Sequence, residues 1–407
     1  MKNLKIFTKN IEQEALDQIN TLMEQPAFSD CKVRIMPDVH AGAGCVIGFT
    51  ADLGDKVIPN IVGVDIGCGM LTVSLGKIDI DYEKLDATIR ARVPSGRNVH
   101  GQLVPSWIVD LAKRLIDQIS CRKELRNRGW LEHSMATLGG GNHFIEIDEG
   151  SDGTKYLVIH TGSRNLGKQV AEYYQNRAVK RLYAKKEERA DIIAKCKAEG
   201  RERDIQIELS KLAYKQSTNI PKDLCYLEDV DRHMYLHDMK ICQDFARYNR
   251  EIIATRIIEG MGWDKQYGAP SEKVWFHTTH NYIDLETNMV RKGAISAKAG
   301  EKVLIPINMR DGCIIGIGKG NEDWNCSAPH GAGRIMSRMK AKEVLSLDAF
   351  KEAMDGIFTT SVSAETIDEA PMVYKPMEEI VENIKDTVDI LEIIKPVYNF
   401  KASEVYV

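Results

Sequence analysis

Five short β-prone runs of this chain end in, or open from, turns that carry a histidine, cysteine or aspartate, and four of these turns are glycine-rich. IVGV leads into Asp65-Ile-Gly-Cys68-Gly, and LGGG precedes Asn142-His143 and the run FIEI. LVI leads into His160-Thr-Gly-Ser163-Arg164, VWF into His277-Thr-Thr-His280-Asn-Tyr, and Ala-Pro leads into His330-Gly-Ala332-Gly333-Arg334. Small residues at the ends of strands let the backbone turn tightly and come close to a ligand. The chemistry-bearing residues lie far apart in sequence, so a working site requires one interwoven domain rather than separable modules. This reading gives an α+β fold, a single domain over 1–407, with mixed β-sheets around a metal-lined cleft.

Between the glycine-rich stretches the pattern changes. Residues 11–24 (IEQEALDQINTLME) carry helical spacing, and so do 105–128 through Trp107, Ile108, Leu111, Leu115 and Ile119. From Lys168 to about Ile258 the chain is charged and nearly free of glycine, and no proline falls between Ser106 and Ile220. A helical insertion at about 168–258 is expected there, with an antiparallel hairpin between 170 and 216. Its mixed charges fit a solvated helix face better than an RNA-contacting arm. Strands are expected at Phe144–Ile147 and Tyr156–Ile159, and helices at Arg334–Leu345 and 377–394.

Hydrophobic residues make up 43% and charged residues 28%, which suits a folded globular chain. No apolar run approaches the ~18 residues of a membrane span, and the N-terminus lacks a signal-peptide core. The nine cysteines form no Cys-x-x-Cys pair. That usage fits reduced thiols in the cytoplasm. With a net charge of −4, a polyanion must be met by a local basic cleft.

Asp65 and Cys68, three apart with glycines between and after, can turn a carboxylate and a thiol towards one ion. That donor pair suits Mn²⁺, Zn²⁺ or Fe²⁺ better than Mg²⁺. His143, His160 and His280 at strand ends complete a ligand set for one or two divalent ions, which a shared thiolate can bridge. His277 competes with His280, and strand alternation allows only one of them to point to the site. His280, at the end of its run, is preferred. Asp38, in MPDVHAGAG, either orients a metal ligand or makes an Asx turn. The turn at His330 suits phosphate chemistry: imidazole can attack phosphorus, small residues free backbone N–H groups, and arginine binds phosphate bidentately. If a helix follows Gly333, Arg334 and Arg338 share a face. Arg164 and Lys292 add further cationic seats.

The ordered set MPDVHAGAGCVIG, VGVDIGCGM, LGGGNHFIE, HTGSRNLG, HNY, RKGAISAKAG, HGAGRIMSR, EAPMVYK and the lysine of NFK resembles the RtcB family of RNA-splicing ligases. It runs from Met36 to Lys401. The resemblance implies joining of an RNA 3′-phosphate or 2′,3′-cyclic phosphate to a 5′-hydroxyl, with GTP and two Mn²⁺ ions. It assigns His330 as the nucleophile that carries GMP, while the residues themselves offer Arg164, Arg334 and Arg338 as further catalytic cations. Asp65, Cys68, His143, His160 and His280 become the metal ligands, with Cys68 bridging. Asn142, Phe144, Glu146, Asn308, Ala332, Gly333, Tyr374 and Lys401 become guanylate contacts.

The sequence departs from the family in three places. Pro306-Ile-Asn308-Met-Arg310-Asp-Gly replaces the usual Pro-Gly-Ser-Met-Gly, Pro329 precedes the nucleophile, and residues 402–407 extend past the lysine. These departures suggest a divergent bacterial branch that repairs cleaved RNA, as a monomer, and is sometimes found beside a release-factor homologue. The altered 306–312 loop also raises a second reading: a metal-dependent phosphatase or cyclic phosphodiesterase that trims RNA ends without joining them.

Overall fold

The computed structural model describes residues 3–183, 185–208, 220–264 and 275–402, and the side chains of all of these except 185–189. The site hangs on one large sheet. Its strands run in the order Lys302–Asn308, Gly312–Gly318, Val388–Lys401, Phe144–Glu149, Lys155–Thr161, Gly69–Gly76 and Trp275–Thr279, each antiparallel to its neighbour. The eighth strand, Phe358–Thr359, pairs in parallel with Val388–Lys401. The two ends of the sheet curl towards each other, and Leu304 N donates to Thr278 Oγ1 at 3.2 Å.

Alternation along the strands gives this curled sheet two faces. Met70, Phe144, Val158, Leu304, Cys313, Ile315 and Ile394 meet inside it. Leu71, Val73, Ile145, Ile147, Leu157 and Ile159 point outwards, against Ile253 and Ile257 of the long helix Asp229–Met261. That helix stops at Gly262, whose positive φ of 79° ends it in the left-handed conformation glycine tolerates.

A second sheet, Leu4–Ile6, Val33–His40, Ile47–Asp52, Met289–Lys292 and Asn281–Asp284, packs its own core against the helix Gln13–Met23. A two-stranded ribbon pairs Ala294–Ser296 with Ser327–Pro329. Pro329 thus ends an extended segment, and Ala328 before it is extended as the residue preceding a proline should be.

Three helix expectations need correction. The run 105–128 breaks after the helix Ser106–Gln118, where Ile119 turns extended. The stretch 377–394 is a helix only over Met377–Asn383. Its remainder begins the strand Val388–Lys401, where β-branched residues pair on both sides. Arg334–Leu345 is helical only from Arg338, because the Ser337 side chain caps the helix by accepting from Lys340 N. Arg334 instead bridges to Tyr374. In the charged stretch, Arg164–Tyr183 and Lys185–Ala198 are helices, and the return limb of the expected hairpin lies partly outside the described residues. Among the described residues, no helix is long and apolar enough to cross a membrane.

Candidate metal centre and nucleotide pocket

Strand register brings the ligand candidates together. Phe144 pairs with His160, His160 with Met70, and Met70 with Thr278. His143, Cys68 and His280 therefore sit just beyond the same end of adjacent strands, beside His160. Cys68 Sγ lies 3.4 Å from His143 Nε2 and 3.3 Å from His160 Nε2. Asp65 Oδ2 is 2.9 Å from His143 Nε2, and His280 Nε2 is 3.4 Å from His160 Nε2. Cys68, His143 and His160 bring ligand atoms within 4.8 Å of one another, and Asp65 and His280 flank them beside His143 and His160. His277 points elsewhere, to Glu251 Oε1 at 3.1 Å.

These residues fit a divalent cation. His160 Nδ1–H donates to Asn142 O at 3.1 Å, which leaves its Nε2 lone pair facing the cluster. His143 Nδ1 lies 3.0 Å from Leu138 O and 3.1 Å from Arg164 Nη1, and its Nε2 meets Asp65 Oδ2. Among the described residues, Asp65 Oδ1 and His280 Nδ1 are buried without a partner. Burial, then the Asp65 carboxylate, push the Cys68 thiol well up. Burial also pulls His160 and His280 well down, towards the neutral form that ligates. Burial alone would raise Asp65, yet its bond to His143 and the charges of His143 and Arg164 hold it below the ordinary range. A buried carboxylate, thiol and three imidazoles with unpartnered atoms among them are a donor set that a bound cation satisfies.

The long helix clamps the loops that carry these groups. Buried Arg250 donates to Gly67 O at 2.9 Å and Thr161 O at 2.8 Å, and burial lowers its pKa to about 10. Asn249 accepts from Thr137 N at 3.0 Å and donates to Thr137 O at 3.0 Å. A side chain on Gly162 would strike Asp65 Oδ1 at 2.2 Å. Sequence reading missed Asn249 and Arg250. Their one signal is an Asn-Arg pair set among apolar helix positions.

His330 lies beside the cluster, its ring centroid 4.8 Å from that of His280. Asp38 decides its tautomer: Oδ2 accepts from His330 Nδ1 at 2.6 Å, His330 N at 3.1 Å and Gly331 N at 3.2 Å. Asp38 thus orients an imidazole, but that of His330 and not that of a metal-ligand candidate as expected. The Nε2 lone pair of His330 is left free. Gly333 lets this turn close on the second sheet, since a Cβ there would sit 2.2 Å from Asp38 O.

A cavity of about 470 Å³ opens from His330 and His160. Asn142, Phe144, Glu146, Asn308, Ala332, Gly333, Arg334, Arg338, Tyr374 and Lys401 all line it, as does Asn399, which sequence reading passed over. Glu369 in its wall was quoted within EAPMVYK without a role. Its carboxylate accepts from Lys401 Nζ at 2.7 Å, Tyr374 Oη at 2.7 Å and Arg338 Nη1 at 2.6 Å, with Arg334 Nη1 at 3.4 Å. Burial opposes the charge of Glu369, but Lys401 and Arg338 prevail and hold its pKa near 2.

Two cations are therefore already engaged. Arg334 also donates to Asp368 O at 2.6 Å. Arg338 also meets Asp368, but its side chain is 45% exposed and keeps a face to the cavity mouth. Arg164 reaches inward over Gly139 to 3.1 Å from His143 Nδ1, and its Nε has no partner. Lys292 does not serve as a phosphate seat. Its buried ammonium donates to Ala43 O, Cys45 O and Asn60 O at 3.0–3.1 Å and pins loops together. Asn308 spends its amide inside the 308–311 turn, and Arg310 is neutralised by Asp311.

The profile of the family described as tRNA-splicing ligase RtcB matches residues 18–402. The chain belongs to the RtcB family. It is 29% identical to RNA-splicing ligase RtcB of Escherichia coli K12, over 97% of this chain and 96% of that one. It is 26% identical to tRNA-splicing ligase RtcB of Archaeoglobus fulgidus, over 91% of this chain and 87% of that one. The RtcB match spans both sheets, so the ligand cluster and the cavity both lie within the shared domain.

Proposed function

We propose that the protein is an RNA ligase that uses GTP and two Mn²⁺ ions to join RNA 3′-phosphate or 2′,3′-cyclic phosphate ends to 5′-hydroxyl ends. The observation that carries this reading is the placement of His330. Its Nδ1–H is held by Asp38, its Nε2 is free, and it stands between the ligand cluster and the cavity.

Asp65, Cys68, His143, His160 and His280 are the residues that would hold the ions, and carboxylate, thiolate and imidazole together suit manganese. Ions there would polarise phosphate oxygens and offset charge in an in-line displacement. Guanine is bound by the aromatic rings of Phe144 and Tyr374, and the Glu146 carboxylate accepts from its N1–H and 2-amino group. Adenine offers an acceptor at N1 and is rejected, because the carboxylate would face a lone pair.

His330 Nε2 attacks the α-phosphorus of GTP. A P–N bond forms as the bond to pyrophosphate breaks, and the Asp38 carboxylate offsets the growing positive charge on the ring. An oxygen of the RNA 3′-phosphate then displaces the imidazole from phosphorus. The 5′-hydroxyl oxygen attacks the activated 3′-phosphorus, loses its proton and expels GMP. A cyclic end first consumes one water to open to the 3′-phosphate. The nine cysteines are all unpaired, which supports work in a reducing compartment such as the cytoplasm.

The test is incubation with Mn²⁺ and α-³²P-GTP. Label that survives denaturation, is released by acid and is absent from His330→Ala is expected. No covalent label would sink this mechanism, and loss of RNA 3′-phosphate without label would favour the hydrolase reading.

A further inference from the structure

At the cavity floor, the interior of the curled sheet holds a cluster of which the mechanism uses only Glu146. Glu146 and Asp148 are two residues apart on the strand Phe144–Glu149, so both point inward. Cys313 joins them from the strand Gly312–Gly318, with one polar atom of each of the three within 4.8 Å of the others. Glu146 is 2% exposed and Asp148 is wholly buried. Glu146 Oε2 accepts from Asn399 Nδ2, and Cys313 Sγ lies 3.9 Å from Oε1. Neither oxygen of Asp148 meets a donor.

Two carboxylates that only accept, facing each other among Met70, Phe144, Val158, Leu304, Ile315 and Ile394, cannot both be ionised without a cation. Burial lifts the Glu146 carboxyl to about 7, against the Asp148 and Asn399 contacts and the charge of Lys401, a cation already bound to Glu369. Among the described residues no cation acts on Asp148. Burial, then the neighbouring Glu146 charge, drive its carboxyl well up. The Cys313 thiol is driven up by the same burial and the same two carboxylates, so it stays neutral. The missing element is one proton, and it belongs on Asp148, the deeper of the two.

We propose that Asp148 is a positioning residue, a neutral acid whose O–H donates to the Glu146 carboxylate and aims it at guanine in the cavity above. Glu146 keeps the charge it needs to accept from the base, while Asn399 steadies its other oxygen. The inference rests on the nucleotide reading above. It adds a residue that does not touch the nucleotide yet sets its selection.

The test compares the full-length wild type with Asp148→Asn and Asp148→Leu. Each is titrated with GTP, ITP and ATP in the presence of Mn²⁺, and melting temperatures confirm folding. The asparagine amide still donates to Glu146, so its preference for GTP over ATP should stay within about threefold of wild type, whereas the leucine variant should lose about 10–100-fold of that preference. Equal loss in both variants, or no loss in leucine, overturns the proposal while leaving the nucleotide reading intact.

A wild type that does not distinguish GTP from ATP defeats the nucleotide reading instead. Asp148 is then judged by infrared spectroscopy: the carboxylic-acid C=O band is expected in wild type at neutral pH and absent in Asp148→Asn. Lack of the band in wild type overturns the neutral acid. So does a divalent ion that persists in Cys68→Ala and is lost in Asp148→Leu, which would put a metal where the proton is proposed.

Discussion

The ligand cluster and the Glu369 hub lie against the same cavity, and both are buried and rich in charge. They differ in how their polar atoms are met. Glu369 has a partner for each oxygen: Lys401 and Tyr374 on one, Arg338 and Arg334 on the other. In the cluster, Asp65, His143, Cys68, His160 and His280 meet chiefly one another, and among the described residues Asp65 Oδ1 and His280 Nδ1 have no partner. A buried group that is satisfied internally frames a site, whereas one that is not satisfied awaits something from outside. Charge alone does not distinguish a wall from a ligand shell. The pairing of donors and acceptors does.

This comparison can be broken in several ways. The largest effect is expected at His330, which belongs to neither region and works between them: His330→Ala should abolish GTP labelling, and residual acid-labile label would move the nucleophile elsewhere. Asp38→Asn comes next. It disturbs the tautomer while keeping the shape, and should slow labelling about 10²–10⁴-fold, a range set by general acid–base and orienting groups. A labelling rate equal to wild type would reduce Asp38 to a turn residue.

Glu369→Gln should separate the two regions by stability. It strands Lys401 and Arg338 in a buried wall and should cost about 3–5 kcal/mol in chemical denaturation. A cost below ~1 kcal/mol, as for an exposed pair, would show that the hub is not a frame. The same residue predicts a pH effect. Its pKa falls from an ordinary 4.5 to about 2 on folding. Its stabilisation is therefore complete above 4.5 and is lost as pH falls towards 2. The glutamine variant should lack that portion of the acid sensitivity, and parallel acid-unfolding curves for the two proteins would contradict it. The smallest stability change is expected for Cys68→Ala in metal-free protein, within about 1 kcal/mol of wild type. Manganese retained on dialysis should nevertheless disappear, and retention measured by elemental analysis would remove Cys68 from the ligand set.

Much of the cluster was legible because each member stands at the end of a short β-prone run, with glycine close by at every one but His280. Such a position marks a strand terminus whatever the rest of the fold does. The helix Gln13–Met23 was legible for a similar reason, since its buried Ala15, Ile19 and Leu22 recur at helical spacing. The first half of Val388–Lys401 falls within the expected helix because apolar residues such as Ile390, Leu391, Ile393 and Ile394 satisfy either period, and only pairing with two neighbouring strands makes it a strand. The same ambiguity placed Arg334 on a helix. It sits outside one, yet still meets Arg338, because both converge on Glu369.

By itself, the sequence determined which residue types are present, which of them end strands, and the family they resemble. These are local properties, carried by spacing and by the freedom of glycine. Only the tertiary structure decided the partners. Asp38 meets His330 across 292 residues, Arg250 meets Gly67 across 183, and Asn399 meets Glu146 across 253. Whether a buried carboxylate is a ligand, a frame or a neutral acid depends on which donors reach it. Those donors arrive from strands and helices that only folding brings near, so no local pattern encodes them.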